Sequence, residues 1–237
     1  MKELNTYTER FALHKVCVII PTYNNAKTLN TVINDVGAYT KNILIVNDGS
    51  TDETETILTS FPFLQIVSYK KNIGKGWALR QGLKQAVELG YHYAISIDSD
   101  GQHFAKDLPA FLDKLETEKN AIIIGARNME QESVPGKSSF GHKFSNFWFK
   151  VETGIKAADT QSGYRLYPLL PLRKMKFLTR KYEFEIEVLV RAAWRGVKIE
   201  SVPVSVYYAP KEIRVSHFRP FKDFTRLTRF GGLAGAG

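Results

Sequence analysis

Unbroken apolar runs alternate with helically spaced apolar residues along the first half of the chain. VCVII at 16–20 is a run of strand length closed by Pro21. Residues 26–36 then place Leu29, Val32, Ile33 and Val36 on one side of a helix. A second run, ILIV within 42–47, ends in the turn NDGST, and 52–59 reads as a short helix capped by Ser50 or Thr51. Residues 64–68 read as a third strand. The helix at 75–89 is the best marked, with Ala78, Leu79, Leu83, Ala86 and Val87 on one side and Gly90 at its end. A fourth strand at 93–97, a helix at 108–116 and a fifth strand at 121–124 complete the series. This alternation predicts an α/β fold with a mostly parallel central sheet and helices on both faces.

Beyond Arg127 the pattern loosens. Residues 128–140 are polar and read as a loop, 144–151 as a helix, and 161–167 as a strand. An amphipathic helix spans 182–195 and stops at Gly196. The stretch 197–208 alternates as a strand, with Pro203 marking an edge or a bulge. No internal repeat, low-complexity segment or domain boundary is visible. The expectation is one domain over 1–230, with halves at about 15–127 and 128–230 and a short tail at 231–237.

Composition narrows this picture. With 237 residues, 43% of them hydrophobic and 24% charged, the chain can bury one full core. Cys17 is the single cysteine, so an intrachain disulfide framework and a cysteine-rich zinc site are excluded, which fits a reducing compartment. MKELNTYTER carries charges and no apolar signal region. No window reaches the roughly 18–20 apolar residues of a spanning helix. The net charge of +9 is concentrated after Lys137, and 211–229 is both basic and aromatic. That distribution favours anionic partners, phosphates or an acidic membrane face, over nucleic acid, for which no recognition signature is present.

In parallel sheets, ligands bind where strands end at their carboxyl termini. Here those ends carry Thr22-Tyr23-Asn24, Asn47-Asp48-Gly49, Asp98-Ser99-Asp100 and Gly125-Ala126-Arg127. Two aspartates one residue apart suit a hard divalent cation, magnesium or manganese. DSDG is equally good chemistry for an exposed turn, and both readings stand at this level. Asp48 either accepts hydrogen bonds from a nucleoside or belongs to a simple strand-to-helix turn. KNIGKGWAL leads a glycine-rich loop into a helix whose start could receive phosphate, with Lys71 and Lys75 nearby. It has neither the GxxxxGK[ST] nor the GxGxxG spacing, which argues against a nucleoside triphosphatase and a dinucleotide fold.

VIIPTYNNAKTL, VNDGSTDET, NIGKGWALRQG and IDSDGQH, in this order, resemble the family two glycosyltransferases. GARN, DTQSGYRLYP, YEFEIEVL and RVSHFRPFKDF agree, so the likeness covers about residues 15–220. The polyprenyl-phosphate branch, which includes dolichyl-phosphate mannosyltransferases, is the most similar. The resemblance implies a GT-A fold, the Rossmann-like fold of nucleotide-diphospho-sugar transferases. It also implies an inverting, single transfer from a GDP- or UDP-linked sugar to a polyprenyl phosphate, aided by Mg2+ or Mn2+. On the donor side it implies Pro21, Tyr23, Asn25, Asp48, Lys75, Asp98 and Ser99. Asp98 and Asp100 become the DxD motif, with Asp100 and Gln102, alongside Asp98, at the metal. Asp98, Asp100 and Arg127 are the implied catalytic set. Arg127, Lys143, Arg214 and Arg219 are the implied grip on the acceptor phosphate.

Two departures from the resemblance stand out: Asn25 replaces an acid common in relatives, and the C-terminal transmembrane helices that anchor some relatives are not expected here. Lys143 also stands where arginine is frequent, offering charge without a bidentate fork. A phosphate acceptor needs no strong base, whereas a sugar hydroxyl would need a carboxylate. Glu183, Glu185 and Glu187 are the candidates for that role, and at least two of them are expected on a solvated helix surface. The rival readings are transfer to a sugar hydroxyl, a nucleotidyltransferase, and a nucleotide-sugar-binding regulator. The expected location is cytoplasmic, peripheral at the cytoplasmic membrane face through the basic C-terminal half.

Overall fold

The chain is described by a computed structural model over residues 2–128 and 136–207. Its elements run α1 (Lys2–Leu13), β1 (Val16–Thr22), α2 (Ala26–Gly37), β2 (Ile43–Asn47), α3 (Thr54–Thr59), β3 (Gln65–Ser68), α4 (Lys75–Glu88), β4 (Tyr93–Ser96), α5 (Leu108–Thr117), β5 (Ala121–Arg127), α6 (Gly136–Thr153), β6 (Arg165–Pro168), α7 (Leu169–Leu172), α8 (Glu183–Trp194) and β7 (Lys198–Val204). Arg214, Arg219 and the basic, aromatic stretch 211–229 lie outside the described residues, as does the side chain of Lys143 within α6. Among the described residues no helix is long and apolar enough to cross a membrane.

One seven-stranded sheet organises the molecule, in the order β3-β2-β1-β4-β6-β5-β7. All neighbours are parallel except at β6, which runs antiparallel to both β4 and β5. The continuous apolar runs follow from burial on both faces. Val16, Val18 and Ile20 pack with α2 and α5 residues such as Leu29, Ile33 and Phe111, while Cys17 and Ile19 pack with Leu79 and Ala86 of α4 and Val188 of α8. Each fully buried aliphatic side chain of this kind contributes about 1.5–3 kcal/mol. Pro203 lies in β7, an edge strand, where its missing N–H costs no central ladder bond.

Four local expectations need correction. α1 was not foreseen; it seats wholly buried Phe11 in the core and ties to α5 through Arg10, 2.7 Å from Asp113 and 2.9 Å from Glu116. The start of α3 is held by Asp52 rather than Ser50 or Thr51: its carboxylate accepts from the Thr54 amide at 3.1 Å and the Ala26 amide at 3.0 Å. α6 begins at Gly136, inside the stretch read as a loop. Strand β6 starts only at Arg165, leaving 161–164 as a turn.

The start of α4 is sealed by the chain leading into α8. The Trp77 amide donates to the Arg180 carbonyl at 2.7 Å. A Cβ on Gly76 would overlap the Lys181 carbonyl oxygen and lie 2.6 Å from Phe184 Cβ. At the other end, Gly90 closes the helix with φ +81° and nothing around its Cβ position. Gly76→Ala is therefore expected to lower stability by about 2–3 kcal/mol through overpacking. Gly90→Ala, a purely conformational penalty, is expected to cost about 1 kcal/mol. Urea denaturation of both variants checks the contrast, and equal losses would refute the tight seal at Gly76.

Candidate active site

The ends of β1, β2, β4 and β5 meet at one edge of the sheet, as expected of a parallel arrangement. The reversed β6 adds a fifth contributor. Because Arg165 pairs with Ser96, the segment entering β6 arrives where β4 ends. It brings Asp159, Gly163 and the turn between them to the same edge, which strand-counting in sequence did not foresee.

Asn24, with φ +52°, bends the chain after β1; its side-chain carbonyl accepts from the Thr51 amide at 2.8 Å. The next residue, Asn25, donates to the Ser99 hydroxyl at 2.8 Å, so two donor-side candidates touch each other. Thr28 secures the Ser99 carbonyl at 2.6 Å. Pro21 is buried within β1, and Tyr23 is half-buried just beyond it.

Asp48 is 2% exposed and holds the glycine-rich loop in place. Its carboxylate accepts from the Ile73 amide at 2.9 Å, the Gly74 amide at 2.8 Å and the Asn72 side chain at 2.8 Å. Together with the Trp77 bond to Arg180, this engages three amides at the start of α4 inside the protein. The phosphate reading of that helix start therefore loses much of its backbone, and the glycines are explained by the close approach of 180–181.

Lys75 extends from the start of α4 to Asp98, with Nζ–Oδ1 at 2.9 Å, and to Glu185 at 2.9 Å. Burial pushes the Asp98 carboxyl up, but the Lys75 ammonium, with His103 and Arg127 behind it, holds it below the ordinary range. Burial opposes the Lys75 charge too, and the two carboxylates outweigh it, raising that amine. Asp100 has no such partner: burial first and the Asp98 charge second push it up to about 6. Its Oδ1 accepts from the Gln102 amide at 3.0 Å. His103 is buried with its Nδ1 unbonded, and burial pushes the imidazole down to about 4. The far end of β7 straps this loop, through a bridge from His103 to Val206 and a bond from the Tyr207 amide to the Gln102 carbonyl at 2.9 Å.

Arg127 faces wholly buried Asp159 in a two-pronged pair, Nε–Oδ2 at 2.6 Å and Nη2–Oδ1 at 3.0 Å. The acids of α8 differ from expectation. Glu183, Glu185 and Glu187 are 6%, 7% and 3% exposed, so none is a solvated surface group. Glu187 accepts from the amides of Leu178 and Thr179 and pairs with Arg191 at 2.7 Å, which fixes the loop that seals α4. Asp159 is the residue that sequence reasoning did not assign to the site, and Glu185, named there only as a candidate base, is instead the partner of Lys75. An acid in DTQSGYR or on an amphipathic helix carries no mark of the cation it will meet.

The site suits a divalent cation in one respect. Asp100 is an acid without an ion-pair partner among the described residues, and the same loop carries His103, buried with an unbonded Nδ1. Among the described residues no three His, Cys, Asp or Glu side chains gather into a metal cage. Such a site matches ions that keep positions for water and substrate phosphates.

The model of Glycosyl transferase family 2 matches residues 17–169. The chain belongs to that family. Among this family member's relatives, the UDP-N-acetylglucosamine–dolichyl-phosphate N-acetylglucosaminyltransferase of Methanococcus voltae is 27% identical over 215 residues, 81% of this chain and 86% of that protein. Polyprenol monophosphomannose synthase of Mycolicibacterium smegmatis is also 27% identical over 215 residues, covering 85% of this chain and 80% of that one. In structure, this family 2 chain resembles glucosyl-3-phosphoglycerate synthase of Mycobacterium tuberculosis, solved with Mn2+, UDP and glucosyl-3-phosphoglycerate. The TM-score is 0.69 at 18% identity, covering 95% of this chain and 80% of that one. The shared fold is the GT-A fold.

The unequal aspartates of this family 2 site have a stability consequence. A carboxyl raised to about 6 costs nothing below its ordinary value near 3.8, costs progressively more as pH rises through 6, and stays costly above. Asp100→Asn should therefore stabilise the ligand-free protein by on the order of 1–3 kcal/mol at pH 8 and little at pH 4. Thermal melts across that range check this; a gain independent of pH would contradict it.

Proposed function

We propose that this protein is an inverting glycosyltransferase that moves one sugar from a GDP- or UDP-linked donor to a polyprenyl phosphate. The carrying observation is the division of the strand-end pair. Asp98 is neutralised by Lys75, while Asp100 stands uncompensated at the same edge as Asp48, Asn25 and Ser99. The donor side is formed by Pro21, Tyr23, Asn25, Asp48, Lys75, Asp98 and Ser99. Asp100 and Gln102, with Asp98 alongside, would hold Mg2+ or Mn2+. When bound, that ion neutralises charge building on the departing diphosphate.

The residues of the chain do the positioning. Asp48 fixes the loop that faces the nucleoside, and Asn25 and Ser99 steady each other under the donor. Arg127 stands at the strand end with its guanidinium aligned by Asp159, and in this reading it meets the incoming phosphate. Lys143, Arg214 and Arg219 complete the grip in this reading.

Three of the four buried acids of α8 and the segment entering β6 favour a phosphate over a hydroxyl acceptor. Glu185 is committed to Lys75, Glu187 to an amide pair and Arg191, and Asp159 to Arg127. An ionised phosphate is already a nucleophile and asks for no base among them. The relatives named above act, by their names, on dolichyl phosphate or polyprenol carriers. The basic C-terminal half would bring the protein to the cytoplasmic membrane face where such carriers lie.

A panel of nucleotide sugars, assayed by thermal shift with and without Mn2+, tests the donor side; at least one is expected to stabilise the protein and to need the ion. Incubating that donor with polyprenyl phosphate should yield a glycosyl phospholipid that survives base and is cleaved by mild acid. EDTA should abolish its formation. Pyrophosphate release from a nucleoside triphosphate would instead support a nucleotidyltransferase, and stabilisation by no nucleotide sugar would overturn the donor-site reading.

A further inference from the structure

The ammonium of Lys75 is shared between two elements distant in sequence. It stands 2.9 Å from Asp98 beyond β4 and 2.9 Å from Glu185 in the first turn of α8. Glu185 itself is anchored through its backbone. Its carbonyl accepts from Nη1 of wholly buried Arg165 at 2.6 Å, and Nη2 of the same guanidinium holds the Thr160 carbonyl at 2.8 Å. Gly163 roofs the three charged heads. A Cβ there would lie 2.7 Å from the Lys75 Nζ, 2.9 Å from Asp98 Oδ2 and 3.0 Å from Glu185 Oε1. The Gly163 carbonyl is held in turn by the Ser96 hydroxyl at 2.5 Å.

A lysine between two carboxylates is already neutralised, so it is a poor counter-charge for an arriving diphosphate. On its own four-carbon stem it would be free to pivot. With Glu185 removed, the ammonium keeps one anchor, and a diphosphate can draw it away from Asp98. We propose that Glu185 is a positioning residue of the transfer reaction, fixing Lys75 against Asp98 so that Asp98 stays still on the donor side and Asp100 remains for the cation. The inference rests on the transferase reading of this site. Glu185 touches no substrate in this role; it acts through Lys75, and Gly163 is the residue type that lets the three heads close.

Full-length Glu185→Gln, Lys75→Met and the double variant test this. In ligand-free protein, acetylation of Lys75 by acetic anhydride, read by mass spectrometry, should rise several-fold in Glu185→Gln. In the transfer assay, kcat should fall roughly 10- to 100-fold, as misplacement of a reacting group does, while the donor KM changes far less. The double variant should lose no more than Lys75→Met alone, because the two residues act as one unit. Losses that multiply would mean that Glu185 acts without Lys75, as a general base would, and would overturn the proposal. Unchanged labelling with unchanged kcat would overturn it as well. Gly163→Ala, whose Cβ would press on the ammonium and on both carboxylates and so open the same clamp, should reproduce the rise in Lys75 labelling and the kinetic loss if Glu185→Gln folds poorly. If the wild type transfers sugar from no donor, the transferase reading fails, and the labelling alone decides whether Glu185 clamps Lys75.

Discussion

The ion pair between Lys75 and Asp98 lets two aspartates stand one residue apart at the end of a buried strand. Two like charges in a half-buried turn repel, and burial raises the energy of each. The fold resolves this asymmetrically, by giving Asp98 an ammonium at 2.9 Å and Asp100 no ion pair among the described residues. Much of the surrounding structure serves that arrangement. Asp48 fixes the loop that carries Lys75, the chain before α8 seals the helix that Lys75 begins, and the segment entering β6 covers the pair with a glycine.

A second asymmetry appears at the neighbouring strand end. Arg127 is aligned by an acid with no exposure, and that acid sits on the same segment that Arg165 and Ser145 hold from beneath. Buried ion pairs are weak sources of stability, because desolvation offsets their attraction. Their value here lies in geometry: they hold charged groups still at the strand ends.

The first half of the fold was legible in sequence because its strands are buried on both faces. Such strands must be unbroken apolar runs, and the helices between them must show one apolar side. The polar residues at the strand ends were legible for the same reason, since a parallel sheet gathers them at one edge. What the sequence hid was direction and partnership. Nothing in RLYP shows that it runs antiparallel, so the arrival of Asp159 and Gly163 at the site could not be read. Of the acids of YEFEIEVL, Glu183 and Glu187 share a helix face and Glu185 points elsewhere, so at least two are expected in solvent. They are buried because the loop at 178–181 and Lys75 come to them, contacts made by residues far along the chain. KNIGKG shows the converse case: its glycines resemble a phosphate cradle, while their neighbours are a carbonyl and a phenylalanine.

The placement of β6 also sets the order in which the sheet can be assembled. β4 and β5 are made first and are neighbours in the chain, yet they never pair. The edge of β4 stays open until residues 165–168 are available, when Ser96 meets Arg165 and Tyr93 meets Pro168. β6 is also the strand through which β5, with β7 beyond it, joins the rest of the sheet. Long-range pairing is not confined to that side: Val16 of β1 meets Tyr93 of β4 across as much chain as Ala121 of β5 meets Lys198 of β7, and in each case loop-closure entropy must be met before any contact rewards it. During synthesis the side of β4 that will meet β6 is therefore an unpaired strand edge, and a strand from the second half of the chain completes a sheet that the first half begins.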